Sequence, residues 1–388
     1  MKRILIVDDE VRILKAMSRL FMERDYEIYT AESASQALAL LDNTGIDLII
    51  SDMRMPLMGG NELLVRVKEK YPEIIRVIIS GYADEQAMFA ALLHNVAKLY
   101  VFKPWNNSEL LGNIEKLFST ADILNSPELA RLADTIDYRA HIPDNCKAML
   151  DLIEKEDLDA LVSAIEKDSE ISALLMHVAK CSIYGAMPNS VKLVANYVGL
   201  PNLKCFMYWA GITVTDSESG ARDNNLAVLW KQSCDTNRIL LFLYEAFLHK
   251  QPPEAALFAG LLKNIGYILL LRSKASGDEA PLTDSTENTK RLIELEMSDY
   301  QLPHQEVGAY YLNKWDLPYP SVEVALYHHR PLDPNIVNTE LLACVHIAQY
   351  YSWKLLNGGQ GMHFEPEVFD RIGITVRDFE TKLAKYLK

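Results

Sequence analysis

Residues 1–10 read MKRILIVDDE and residues 47–60 read DLIISDMRMPLMGG, so two short apolar runs each end on carboxylates. Further runs of the same length lie on either side, giving Ile4 to Val7, Glu27 to Thr30, Asp47 to Ser51, Val77 to Ser80 and Leu99 to Phe102. Between them, Val11 to Arg24 and Ser35 to Asp42 set apolar residues at helical spacing. Buried runs alternating with amphipathic stretches are the pattern of a parallel sheet with crossover helices. The expectation is a doubly wound α/β domain over residues 1–120. In such a sheet the chemistry sits where strands end.

Three carboxylates fall there: Asp8 and Asp9 after the first run and Asp52 after the third. Brought together, they repel unless a hard cation intervenes, and Mg²⁺ suits carboxylate and water oxygens. Lys103, followed by Pro104, adds a fixed positive charge, and Ser80 ends the fourth run with a hydroxyl. This set suits phosphoryl transfer to a carboxylate. Singly, an Asp at a strand end reads as a helix cap. The combination of DD, D-x-x-M-P, S-G and K-P at four sheet ends is far more specific.

Those motifs, as IVDDE, SDMRMPLMGG, ISGYAD and FKPW, resemble the receiver family of two-component signalling across residues 1–118. The resemblance implies a flavodoxin-like fold in which Asp52 accepts phosphate from a histidine kinase. It further implies Mg²⁺ held by Asp8, Asp9, Asp52 and the backbone carbonyl of Arg54. Ser80 and Tyr100 would respond to the phosphoryl group together with Lys103, although Tyr100 also reads as an ordinary sheet-edge aromatic. A cis peptide at Lys103-Pro104 is expected, as is homodimerisation through the fourth helix, fifth strand and fifth helix.

Beyond residue 118 strand-like runs vanish and long amphipathic stretches are broken by Pro, Gly and Asn. A helical connector over 121–144 is expected, with breaks at Asn125-Ser126-Pro127 and around Asp137 to Asn145. An all-α output domain follows over 145–335, then a helical extension over 336–388 packed on it. Ser273 to Thr289 reads as an exposed polar loop. Pro253 to Leu271, PEAALFAGLLKNIGYILLL, is apolar nearly all round and reads as one buried helix.

Within that stretch GLLKNIG resembles the G-L-L-H-D-I-G segment of HD-type phosphohydrolases, with Lys263 and Asn264 at the His-Asp ligand positions. Upstream, LWKQSCDT offers no His either. IEKDSEISALLMHVAKCSIYG, NSVKLVANYVGLPNLK, HQEVGAYYLNKWDLP and YHHRPL resemble the HD-related output domain family, HDOD, over about 145–335; Cys181 replaces the Asn expected before Ser182. PEVFDRIGITVRDFETKL resembles the helical tail often appended to such domains. His304, His328 and His329 read as core histidines, and Trp209, Trp230 and Trp315 as core aromatics. No catalytic residue and no cofactor is expected in the output half, because a lysine cation and a neutral amide are poor substitutes for metal ligands.

Composition narrows the function class. At 388 residues, 49% hydrophobic and 24% charged, the chain is an ordinary folded protein of two or three domains. A net charge of −14 disfavours a nucleic-acid surface. No signal peptide or uninterrupted apolar span is visible, so a cytoplasmic protein off the membrane is expected. The five cysteines are scattered and never spaced CxxC, which reads as buried reduced thiols. The resulting expectation is a response regulator in which phosphorylation of Asp52 gates a non-catalytic domain that binds another signalling protein. The rivals are a degenerate phosphohydrolase acting on a cyclic dinucleotide or nucleotide, and a nucleic-acid binder.

Overall fold

The computed structural model describes residues 1–388 apart from 23, 82–90, 92–93, 136–141, 183–188, 214–219, 274–295, 299, 357–363 and 388. Two compact units emerge, Met1–Thr120 and Ala121–Lys388.

The first unit is built on a five-stranded parallel sheet in the order β2-β1-β3-β4-β5. Its strands are β1 (Lys2–Val7), β2 (Tyr26–Ala31), β3 (Leu48–Asp52), β4 (Ile75–Ser80) and β5 (Leu99–Phe102). Helices cover both faces, so the inner strands must be apolar on both. Ile4, Leu5, Ile6 and Val7 are at most 1% exposed, as are Leu48, Ile49 and Ile50. On Val11–Met22 the buried residues Leu14, Met17 and Phe21 form the inward stripe, and on Gly60–Lys70 Leu63, Leu64 and Val67 do the same. Strand order reverses between β1 and β3, which opens a crevice at their carboxyl ends. The registers Val7↔Ser51 and Asp52↔Ile79 place the residues that follow β1 beside the end of β3.

In the second unit every element among the described residues is helical. The helix Asn107–Leu124 runs past the expected domain end and stops before Pro127, which occupies the first turn of the next helix, Pro127–Thr135. The helix Val191–Thr213 is bent where Gly199 takes φ 73°, a left-handed conformation that glycine adopts without a Cβ clash, two residues before Pro201. At the C-terminal end Val368, Phe369, Phe379 and Leu383 join the same core as Leu129 and Leu175. The polar stretch 273–289 lies outside the described residues, except Ser273, and so does much of the fourth helix of the expected dimer face.

Pro253 to Leu271 is not one helix. It forms a 3₁₀ turn at Glu254–Ala256 and the helices Ala259–Leu262 and Ile265–Ser273, with a turn at Lys263 and Asn264 between them. Close tertiary approaches accompany the breaks. A Cβ on Gly260 would lie 2.7 Å from Asn237 Oδ1, and one on Gly266 would lie 2.0 Å from the His304 carbonyl oxygen. By length and composition Glu254–Leu271 could cross a membrane, but 89% of it is buried inside the fold.

Candidate functional site

Sheet topology delivers the carboxylates to one crevice. Asp52 ends β3 at 8% exposure, and Asp8 follows β1 at 3%. Asp52 Oδ2 accepts a hydrogen bond from the Arg54 backbone N–H at 2.9 Å, and Asp8 Oδ1 accepts one from Glu10 N–H at 2.8 Å. The remaining oxygens share one cation. Lys103 Nζ lies 3.0 Å from Asp8 Oδ2 and is also ion-paired with Asp52 Oδ1. Lys103 is held there because its N–H donates to the Ser80 carbonyl at 2.7 Å, one step beyond the Ser80↔Phe102 register. The Lys103-Pro104 peptide is cis.

Burial pushes the Asp52 carboxyl above its ordinary range; Lys103 opposes this and Asp8 adds to it. Burial also acts to lower the Lys103 ammonium, but its bonds to Asp52 and Asp8 prevail and hold it above the usual lysine value. Two buried carboxylates therefore share one ammonium, with Asp9 exposed next to Asp8. This all-oxygen donor set with excess negative charge fits a hard dication such as Mg²⁺. Ser80 is 1% exposed, its hydroxyl 3.4 Å from the Gly81 carbonyl, and Tyr100 is half-buried opposite Ile78.

Gly60, the last residue of the SDMRMPLMGG motif, has a structural role that the motif alone does not show. A Cβ on Gly60 would lie 2.0 Å from the Asp52 carbonyl oxygen and 2.8 Å from Ser51 Oγ. Gly60 N–H donates to the Met53 carbonyl at 2.9 Å, folding the loop after Asp52 back against the acceptor.

At the expected HD positions of the second unit there is a closed polar network. Gln232 Oε1 accepts from Lys263 Nζ at 2.5 Å and from Asn264 Nδ2 at 3.1 Å. Its amide donates to Thr236 Oγ1 at 3.0 Å and Ser352 Oγ at 2.9 Å. Lys263 is fully buried, and burial pushes its ammonium well below the usual lysine range.

His304 is brought beside the adjacent pair His328 and His329 near Lys263. The ligand atoms of His304, His328 and His329 lie within 4.8 Å of one another. His304 Nδ1 faces Glu296 at 2.9 Å, and its Nε2 is 3.4 Å from His328 Nε2. Burial holds the His328 and His329 rings well below the usual imidazole range, and the neighbouring histidines and Lys263 add to this. Convergence of these rings exceeds what the sequence suggested, and Glu296, the carboxylate partner of His304, carries no sequence signal. Trp209 and Trp315 are buried at 1% and 2% exposure, whereas Trp230 is half-buried against His177.

A crevice of acidic oxygens and a lysine at the carboxyl edge of a parallel five-stranded sheet is the arrangement of a receiver-type domain. The family of response regulator receiver domains is matched over residues 4–115 and the HDOD domain over residues 140–331. The chain carries a response regulator receiver domain followed by an HDOD output domain. Its first 120 residues are similar to parts of longer proteins. HoxA, a hydrogenase transcriptional regulatory protein of Cupriavidus necator, is 35% identical over 113 residues, which are 29% of this chain and 23% of HoxA. The sensor histidine kinase TmoS of Ectopseudomonas mendocina is 32% identical over 119 residues, 30% of this chain and 12% of the kinase. Among solved structures, the signal receiver domain of an HD domain-containing protein from Pseudomonas fluorescens Pf-5 is 34% identical. That match covers 28% of this chain and 88% of that one, with a TM-score of 0.28. The chain thus spans about a quarter or less of the length of these two full-length relatives.

Proposed function

We propose that phosphorylation of Asp52 by a histidine kinase gates a non-catalytic HDOD domain, which engages another signalling protein in the cytoplasm. In the receiver, Mg²⁺ would be held by Asp8, Asp9, Asp52 and the Arg54 carbonyl, screening the incoming phosphoryl group. Lys103, already bound to both buried carboxylates, is placed to exchange a carboxylate oxygen for a phosphoryl oxygen, and Ser80 and Tyr100 complete the switch. The output partner would read a surface that differs between the two receiver states. Homodimerisation is a further expectation of the same reading.

The observation that carries the non-catalytic reading is the Gln232–Lys263–Asn264 network. Where a hydrolase needs ligands with free lone pairs, this chain has a lysine and an amide that both donate to the Gln232 amide oxygen. A degenerate phosphohydrolase remains a second reading because His304, His328 and His329 converge beside that network. One experiment separates the two. Acetyl phosphate with Mg²⁺ should add one phosphoryl group to the full chain by intact mass, and Asp52→Ala should abolish the addition. The same protein should leave cyclic dinucleotides intact with Mn²⁺, Fe²⁺ or Mg²⁺. Labelling of Asp52→Ala would remove the phosphoacceptor, and metal-dependent turnover lost in His328→Ala would install the hydrolase.

A further inference from the structure

The output domain contains a second cluster of metal-ligating atoms that neither the receiver nor the HD-like positions use. His177 and Cys181 stand four apart on the helix Ser169–Ser182, so they share one face. Cys234 projects toward them from the helix Gly220–Leu243. The imidazole and the two sulfurs all lie within 4.8 Å of one another. Trp230, one turn before Cys234, packs its ring 4.6 Å from that of His177 and restricts the imidazole. Cys234 is two residues from Gln232 and so projects from a different part of the helix than the Lys263 network.

We propose that Cys181, Cys234 and His177 form a binding site for one thiophilic d¹⁰ cation, of which Zn²⁺ is the first candidate. A tetrahedral Zn²⁺ with bonds of about 2.3 Å to sulfur and about 2.0 Å to nitrogen sets its ligand atoms about 3.5–3.8 Å apart. The observed cluster must therefore close by at most about 1.3 Å at its longest edge, which side-chain rotation supplies. Binding expels two protons, one from each thiol, and the two thiolates then cancel the charge of the dication. Nearby Arg238 does not confront the ion unpaired, because its Nη2 is 2.9 Å from Asp235 Oδ1.

The three ligands differ in access. Cys234 is 4% exposed and Cys181 9%, whereas His177 is an exposed residue. The ion would enter from the His177 side, where a fourth position stays open for water. Its effect would be to cross-link two helices already stapled by Asn237, whose Nδ2 donates to Ser182 Oγ at 3.0 Å. Soft thiolates also separate this site from the all-oxygen receiver crevice, which selects a hard ion.

Cobalt is the probe that reads the thiolates directly. The reduced full chain is titrated with Co²⁺, and a thiolate-to-cobalt charge-transfer band in the near ultraviolet should saturate at one equivalent and vanish on adding Zn²⁺. Cys181→Ser and Cys234→Ser should each lose most of that band, and Cys344→Ser should keep it. His177→Ala, at the surface and so expected to fold, should weaken Co²⁺ binding at least tenfold. In parallel, bound Zn²⁺ should protect two thiols from alkylation in the native chain. A cobalt spectrum without the thiolate band, as the His304–His328–His329 trio would give, overturns the proposal. So does full binding by His177→Ala, or two thiols that alkylate equally with and without Zn²⁺.

Discussion

The two polar centres of the chain are built on opposite principles. In the receiver crevice, two buried carboxylates share a single ammonium, and the local charge balance is left negative. At the HD-like positions of the output domain, Gln232 accepts from both Lys263 and Asn264 and donates to Thr236 and Ser352, so these side chains are partnered with one another. A site that is electrostatically incomplete has a reason to bind an ion and accept a group. One that is internally complete gains nothing from a ligand that must first break its hydrogen bonds. The contrast distinguishes the two centres more sharply than the residue types alone.

The largest test of that contrast is Gln232→Leu. The substitution is close in volume but removes the acceptor shared by Lys263 and Asn264, leaving two buried donors without it. Orphaned buried polar groups cost about 1–3 kcal/mol each, so the output domain should lose about 3 kcal/mol of stability in urea unfolding. Lys263→Met instead removes one buried donor while Gln232 keeps its bond from Asn264, and should cost much less, since no donor is orphaned. If Gln232→Leu unfolds like the parent, the network does not hold the pocket closed and the pocket is available to ligands.

How far such features could be read from the sequence follows from their locality. Strands buried on both faces leave continuous apolar runs, so all five strands were legible to within a residue or two, and Asp8, Asp52, Ser80 and Lys103 followed from standing at their ends. Gly60 belongs to the same site but looks like an ordinary turn glycine until its approach to Asp52 is seen. In the output half the signal weakens because an all-apolar segment has no period. Pro253 to Leu271 therefore read as one helix, although Gly260 and Gly266 meet Asn237 and His304 only in the tertiary fold. For the same reason Glu296 beside His304, and Cys181 beside Cys234, were invisible: each pair lies on separate elements.

A smaller effect is expected at the receiver. Since burial raises the Asp52 carboxyl above its ordinary range, the folded receiver favours the protonated form. The stability this contributes is present below the ordinary carboxylate pKa and is lost as pH rises through the raised value, so at neutral pH the ionised group is a cost. Asp52→Asn should therefore raise the receiver's unfolding temperature in calorimetry of the full chain by a few degrees at pH 7. The gain should shrink as pH falls toward about 4, where the parent carboxyl protonates as well. A melting point that drops, or a gain independent of pH, would mean that Lys103 fully compensates Asp52 and that the crevice is no less complete than the output pocket.

The smallest expected effect concerns how long the phosphoryl group stays. Arg54 lies two residues past Asp52, and its backbone N–H binds the carboxylate that would be phosphorylated while its side chain is exposed at the mouth of the crevice. A long cation two residues past the acceptor is within reach of the water that would hydrolyse an acyl phosphate. It either orders that water or obstructs it. Because the side chain is exposed and the backbone contact survives truncation, Arg54→Ala should leave the fold and the extent of labelling unchanged. Its dephosphorylation rate should change by a few-fold, which corresponds to about 1 kcal/mol or less in the barrier. Faster loss would identify Arg54 as a shield and slower loss as a group that positions the water. Identical decay curves for Arg54→Ala and the parent would remove the side chain from the chemistry and leave the phosphoryl lifetime to Asp8, Asp9, Ser80 and Lys103.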